Sequence, residues 1–372
     1  MPNSNTLHIV SFNIPYPPNY GGVIDVFYKI KELHQLDIKI YLHCFEYDRP
    51  QQKALEKYCE KVFYYKRSSN IKSLFSTTPY IIKNRESELL IDRLKKIDAP
   101  ILFEGLHTTF PLTKTVFKSK VYIRTHNIEH DYFKGLAESE SNIFKKLFYV
   151  LESFKLKKYE AILNKVAGIF SISPFEQEYF ESKYGKKCNY IPAFHDAKPL
   201  ENHSAKGDFI LYHGDLRISD NIKAALFLIA IYKDSSYKLV IASSEKSSII
   251  KEINKHQNIY FETINTQKEL ELLFRKAHIN TLVTFQKTGI KLKLLNALYQ
   301  GKFIIANSKM IADTGLESLC ELANTKEEIL QKTAFLFSEE FSEAEIEKRK
   351  EKLTLFSPSQ SSKRIKELIF KQ

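Results

Sequence analysis

The chain has 372 residues and is 43% hydrophobic, with 27 Phe and 21 Tyr against 11 Gly and 12 Pro, which excludes a disordered or collagen-like chain and suits two packed domains. The formal charge of +12 is heavier in residues 1–200, where 30 Lys and Arg face 22 Asp and Glu. This favours an anionic partner: a phosphorylated lipid, an anionic membrane surface or nucleic acid.

Cys44, Cys59, Cys188 and Cys320 are scattered with no C-x-x-C spacing, so buried free thiols in a reducing cytoplasm are expected. No apolar run reaches the roughly 20 residues of a bilayer span, and the opening MPNSNTLHIVSF lacks a signal-peptide pattern. The expectation is a cytoplasmic chain whose membrane contact is peripheral, at the inner face.

Residues 7–12 read as a buried first strand, followed by the loop IPYPPNYGG and a helix over 23–35. Strand patterns recur at 38–45, 62–65, 101–104, 121–124, 168–172 and 189–191, with helices between several of them. That alternation predicts a mostly parallel sheet covered on both faces. Segment 142–164 is the longest helical stretch of this half, with Leu147, Leu151, Phe154, Leu156 and Leu163 as an imperfect apolar stripe. Its Lys145, Lys146, Lys155, Lys157, Lys158 and Lys165 either meet anionic headgroups or form a solvated face.

After Pro192 the run AFHDAKPLENHSAKGD is polar and reads as a linker. Strands then follow at 208–212, 237–242, 259–261, 279–284 and 303–306, and helices at 219–232, 244–256 and 266–277. The order predicts an α/β protein of two Rossmann-like domains, 1–196 and 197–341, facing each other across a cleft. A helical tail, 342–372, is interrupted around Pro358 and could cross back to the first domain. Open parallel sheets bind ligands beyond the carboxyl ends of their strands, which directs attention to the loops there.

In the first such loop Gly21 and Gly22 allow either a close backbone approach to a bound group or a tight turn. No G-x-G-x-x-G follows any predicted strand, which disfavours a dehydrogenase. After 101–104 comes Gly105-Leu106-His107, and after 121–124 the cluster Thr125-His126-Asn127-Ile128-Glu129-His130. His126 could orient a sugar hydroxyl or carry a proton, Arg124 could attract an acidic acceptor, and Glu129 could hold a hydroxyl or a neighbouring His. A loop cap is the alternative. HNIEH departs from the H-E-x-x-H zinc arrangement, and no metal is expected.

In the second half, Gly214 permits close approach, Arg217 can meet a diphosphate, and Ser219 or Asp220 can cap the next helix, which contains Asn221. The stretch QKTGIKLKLLNALYQGKFIIAN reads as loop, helix, glycine and strand. Gly289 opens the helix, whose amino end is a seat for phosphate, and Lys291 and Lys293 add charge there. Arg217 and Lys293 together would clamp a leaving nucleoside diphosphate; merely exposed lysines are the alternative. No zinc-finger spacing, aromatic RNA motif or concentrated basic stripe supports nucleic acid.

On these residues the chain resembles glycosyltransferases of the two-Rossmann GT-B class, and most closely family 4, the retaining nucleotide-sugar-dependent enzymes. Pro18-x-x-Gly21-Gly22 resembles the family's glycine-rich first loop, and Arg124-x-His126-Asn127-x-Glu129 its central histidine loop. Gly214 to Asn221 resembles its strand-end glycine loop, and Gly289 to Ala297 its donor-binding helix. The resemblance implies transfer of a sugar from a uridine or guanosine diphosphate donor to a glycan or glycolipid acceptor on the first domain, often without a bound metal. It also implies donor phosphate at Arg217 and Lys293, ribose at Asn296, and the backbone of Gly289 near the diphosphate. Family members commonly carry two glutamates where this chain has Thr288 and Asn296; Glu317 or Glu129 would have to substitute for the first. That difference leaves a noncatalytic binding or partner subunit as the second expectation and a nucleotide-sugar epimerase as the third.

Overall fold

The computed structural model describes residues 5–371 apart from 20, 69, 197–205, 246–248, 287–291 and 313. The described residues of Met1–His195 and Leu355–Gln372 form one compact unit, and those of Asp196–Lys287 and Lys291–Thr354 a second. Most of the expected linker, and both Thr288 and Gly289, lie outside the described residues.

The first unit contains β1 (Thr6–Ser11), β2 (Lys39–Glu46), β3 (Lys61–Lys66), β4 (Ile101–Glu104), β5 (Val121–Arg124), β6 (Gly168–Ser171) and β7 (Cys188–Tyr190). They form one sheet in the order β3-β2-β1-β4-β5-β6-β7 with every pair parallel. Strands β1, β4, β5 and β6 are buried along their whole length, as expected for a parallel sheet covered on both faces. The helix Gly21–Gln35 buries Val23, Val26, Phe27, Ile30 and Leu33, the spacing of a single helical face. Strand order reverses between β1 and β4, the switch point where ligands of such sheets bind.

The second unit contains β8 (Ile210–His213), β9 (Leu239–Ser243), β10 (Ile259–Thr263), β11 (Ile279–Leu282), β12 (Phe303–Ala306) and the two-residue β13 (Glu321–Leu322). Its order is β10-β9-β8-β11-β12-β13, again all parallel, with its switch point between β8 and β11. Two Rossmann-like sheets are therefore present, each built on a central strand that comes first in its unit.

Two expected helices differ in extent. Segment 142–164 is α-helical only over Ile143–Tyr159 and tightens to a 3₁₀ turn over Glu160–Lys165, a common way for a helix to end. The helix expected over 244–256 is reduced to Ile250–Ile253 among the described residues. Glu245 N donates to Ser243 Oγ at 3.2 Å, so the hydroxyl at the strand end draws the chain into a turn instead.

The tail divides at Pro358. Glu343–Leu353 packs in the second unit, where Arg349 Nη1 donates to Gly301 O at 2.7 Å and Tyr299 OH to Leu353 O at 3.0 Å. Pro358–Phe370 packs in the first unit, with Ile365 and Ile369 in its core and Lys366 Nζ donating to Leu36 O at 2.9 Å.

Candidate functional site

At the carboxyl edge of the first sheet the strand ends close on a set of ions. Asp25 and Lys29, one turn apart on Gly21–Gln35, present their side chains to the same side of the helix. Lys29 Nζ donates to Asp25 Oδ2 at 2.9 Å and to Glu104 Oε2, at the end of β4, at 2.9 Å. Arg124, at the end of β5, places Nε and Nη2 on Asp25 at 3.1 and 2.9 Å. Against the burial that would raise it, Arg124 and Lys29 hold the Asp25 carboxyl well below the usual range. All four side chains are fully buried, a state that charges tolerate only when paired.

The sequence reading assigns Arg124 to an acidic acceptor, and the structure corrects it. Besides its two bonds to Asp25, the guanidinium donates to Ser171 O, Ile191 O and Pro192 O at 3.2, 2.6 and 3.1 Å. All five of its N–H groups are spent inside the unit. Asp25, Glu104 and His126 also bring ligand-type atoms within 4.8 Å of one another, but the Lys29 ammonium fills the place between the two carboxylates. The spacing of His126 and His130 leads to different partners: His126 Nε2 lies 3.0 Å from Glu104 Oε2, and His130 Nδ1 3.3 Å from Glu160 Oε2.

Glu104 holds His126 by one ring nitrogen, Nε2, and the other, Nδ1, is buried without a hydrogen-bond partner. Close by, Gly105 has φ +71° and a Cβ there would stand 2.7 Å from His107 Nδ1, so only glycine lets the turn bring His107 to the strand ends. The Phe12 ring lies 5.7 Å from the His107 ring and 5.5 Å from that of His126. Gly22 abuts the same ring, where a Cβ would meet Phe12 Cζ at 2.6 Å, while its neighbour Gly21 is the first residue of the helix.

His107 Nδ1 is 3.8 Å from Glu129 Oε1, and that nitrogen and both Glu129 oxygens are buried without hydrogen-bond partners. Burial pushes the Glu129 carboxyl up to about 8, with Glu176 adding and the Asn127 amide and Arg85 opposing. Burial likewise pushes His107 well down, reinforced by Arg85, His126 and Arg67. Near neutral pH this is a protonated acid facing a neutral imidazole. Buried polar atoms are normally paired, so the unsatisfied atoms of His107, His126 and Glu129 are a set of donors and acceptors whose chemistry matches hydroxyl groups.

In the second unit, Gly214 follows β8. A Cβ at Gly214 would lie 2.8 Å from Lys293 Nζ and 3.3 Å from Asn221 Cγ, so glycine here lets the ammonium approach the main chain. Lys293 Nζ donates to Asn221 Oδ1 at 2.5 Å and stands 5.3 Å from the centre of the Tyr212 ring. Asn221 Nδ2 in turn donates to Asp215 O at 2.8 Å. His213 is buried with neither ring nitrogen hydrogen-bonded; burial, aided by Lys293, pushes it down to about 3. Asn296 is partly buried on the helix Leu292–Gln300, three residues after Lys293 and so on a neighbouring part of its surface.

Arg217 departs from expectation. Its Nε and Nη2 fork onto Asp215 at 3.0 and 2.8 Å in a pair exposed on the arginine side. Despite partial burial, Asp215 is held below the ordinary carboxylate range by Arg217 and then by Lys293. The loop therefore holds two cations around one anion, rather than an open pair of cations. Ser219 and Asp220 do not cap their helix: Ile218 is the N-cap and makes no side-chain cap bond. Asp220 instead accepts from Thr284 Oγ1 at 2.8 Å and Phe285 N at 3.1 Å, tying the loop after β11 to the helix start. Glu317 Oε1 accepts from Thr314 N at 3.0 Å and Gly315 N at 3.3 Å, closing its own turn.

Nothing in the sequence alone singles out Asp25, Lys29 and Glu104. The spacing of four between Asp25 and Lys29 was the available signal, and it reads equally as a solvated helix pair.

No family model matches the chain. It is 28% identical over 347 residues to an uncharacterized 44.6 kDa protein in the cps region of Klebsiella pneumoniae, covering 87% of this chain and 88% of that one. Among solved structures it is similar to a S. aureus TarM mutant in complex with fondaparinux, alpha-GlcNAc-glycerol and UDP, at TM-score 0.67 and 12% identity over 98% of this chain and 99% of that one. It is also similar to a glycosyltransferase from Rickettsia africae ESF-5, at TM-score 0.65 and 16% identity over the whole of both chains. The chain has the fold of the GT-B glycosyltransferases, with two Rossmann-like units of parallel sheet.

Proposed function

We propose that the chain is a glycosyltransferase that moves a sugar from a uridine or guanosine diphosphate donor to a glycan or glycolipid acceptor, with retention, in surface polysaccharide or glycoconjugate synthesis. The observation that carries this reading is the Lys293 ammonium held against Gly214 and Asn221 at the end of β8. It is a cation at a strand-end glycine, beside a helix whose first turn no side-chain oxygen caps, and that combination suits a diphosphate. The cps-region relative supports polysaccharide synthesis, and the UDP in the TarM complex supports a uridine donor.

In this reading the second unit is the donor domain, with phosphate on Lys293 and the Gly214 backbone and ribose on Asn296; Gly289 would stand near the diphosphate. Release of Arg217 from Asp215 would add a second cation as charge develops on the leaving group, stabilising the transition state more than the bound donor. The first unit receives the acceptor beside Gly21 and Gly22, its hydroxyls meeting His126 Nδ1, His107 and Glu129. The bond from anomeric carbon to diphosphate oxygen breaks, the acceptor oxygen bonds to that carbon on the same face, and the acceptor proton passes to the departing diphosphate. Positioning and phosphate stabilisation then carry the reaction without a covalent intermediate.

Calorimetry with a panel of uridine and guanosine diphosphate sugars, on the native chain and Lys293→Ala, tests this. One donor should bind and weaken in the variant; absence of binding across the panel by folded protein would overturn it. The amide of Asn296, where the family commonly has a carboxylate, favours a second reading, a noncatalytic partner subunit. That reading predicts glycan binding with no transfer from any donor.

A further inference from the structure

The helix Ile143–Tyr159 is held by one side and bare on the other. On its inner side Leu156 is buried, and Phe148, Tyr149 and Tyr159 pack on the first unit's core. Glu152 accepts from Tyr80 N at 2.6 Å, and Ser153 Oγ donates to His130 O at 2.7 Å. On its outer side Ile143, Phe144, Leu147, Leu151 and Phe154 are each 52 to 81% exposed. At 3.6 residues per turn these five fall within a single stripe about 100° wide. Phe75, 87% exposed, stands on the neighbouring turn Ile71–Phe75, which Lys155 Nζ joins by donating to Leu74 O at 2.9 Å. Isolated exposed apolar residues need no explanation, but a contiguous set on a fixed helix does.

The charges of this helix are mostly of one sign. Lys146, Lys155, Lys157 and Lys158 border or interrupt the stripe, Lys145 lies on the other side of the helix near its start, and the single acidic residue, Glu152, is buried on the inner side. We propose that this face docks on an anionic lipid bilayer, with the apolar side chains at the boundary of headgroups and acyl chains and the lysines among lipid phosphates. Pairing with a second copy is disfavoured by the same charges, because a two-fold contact sets lysine flanks against lysine flanks. The inference deepens the proposed glycolipid acceptor and rests on it for its purpose: a docked enzyme meets a lipid-borne acceptor in two dimensions.

The test is flotation of the full chain with vesicles of phosphatidylcholine alone or mixed with phosphatidylglycerol, beside two double variants, Phe144→Glu/Leu151→Glu and Lys157→Glu/Lys158→Glu. All four positions are exposed, so thermal unfolding should be unchanged. The native chain should bind the anionic vesicles, and each variant should bind them on the order of tenfold more weakly or less. No binding to anionic vesicles, or binding that survives in both variants, overturns the proposal. So does a native dimer in sedimentation that Phe144→Glu/Leu151→Glu dissolves, which would make the face a contact between copies. Donor calorimetry on the same samples separates the readings: vesicle binding without donor binding removes the glycosyltransferase and leaves the docking face, and the reverse removes the face alone.

Discussion

The two sheet edges share a strand order and treat charge in opposite ways. In the first unit Asp25, Lys29, Glu104 and Arg124 are sealed at the strand ends, each charge answered by another, and beside them stand the neutral pair His107 and Glu129 with His126. In the second unit the ions are the front: Lys293 leans on Asn221, and Arg217 holds Asp215 at the surface. The difference fits two ligand chemistries. A buried, satisfied lattice can orient an imidazole for hydroxyl groups but has no charge left to give, whereas a cation held on a neutral amide at a strand-end glycine can exchange that partner for phosphate.

The comparison breaks most severely if the lattice is opened. Asp25→Ala leaves Arg124 and Lys29 buried without their shared anion, and chemical denaturation should show a loss of about 3–5 kcal/mol in the first unit's transition. A loss as small as that of an exposed pair would mean the lattice is hydrated and the contrast unreal.

The next largest effect is pH-dependent. The folded Glu129 carboxyl stands at about 8 against an ordinary value of 4.5, so the folded state holds that proton more tightly. Its stabilising contribution is present in full below the ordinary value and is lost as pH rises through the folded value. Native stability should therefore fall by on the order of 3 kcal/mol between pH 5 and pH 8 relative to Glu129→Gln. Parallel stability profiles for the two proteins would place Glu129 in water.

Lys293→Ala should lower turnover about 100-fold, equivalent to about 2.7 kcal/mol of transition-state stabilisation, with a melting temperature close to native. Near-native turnover would remove its assigned role. Asp215→Asn sharpens the same point from the other side. The exposed pair contributes under about 1 kcal/mol to stability, while release of Arg217 should tighten donor binding in calorimetry. Weaker binding would show that Asp215 itself faces the donor.

Much of the fold was legible because parallel strands buried on both faces are continuous apolar runs: 101–104, 121–124 and 303–306 match β4, β5 and β12 to the residue. Helix lengths were less so: Ser243 draws the chain into a turn through a side-chain bond that periodicity does not record, and the stretch after Tyr159 tightens to a 3₁₀ turn. Of the site, the positions after strands were legible, but partners were not. Arg124 reads as a ligand group until Asp25, 99 residues away in sequence, is found on it, and Arg217 reads as a free cation until Asp215 is.

The sequence by itself determined two restarting series of strands and helices, glycines at strand ends, and a helical stretch within 142–164 with lysines along it. Those follow from local periodicity and from residue types that only certain backbones accept. Tertiary structure alone decided which charges are spent and which face is bare. Pairing of Arg124, protonation of Glu129 and exposure of Phe144 depend on what the chain brings alongside from distant positions, and the burial of each is set by those neighbours.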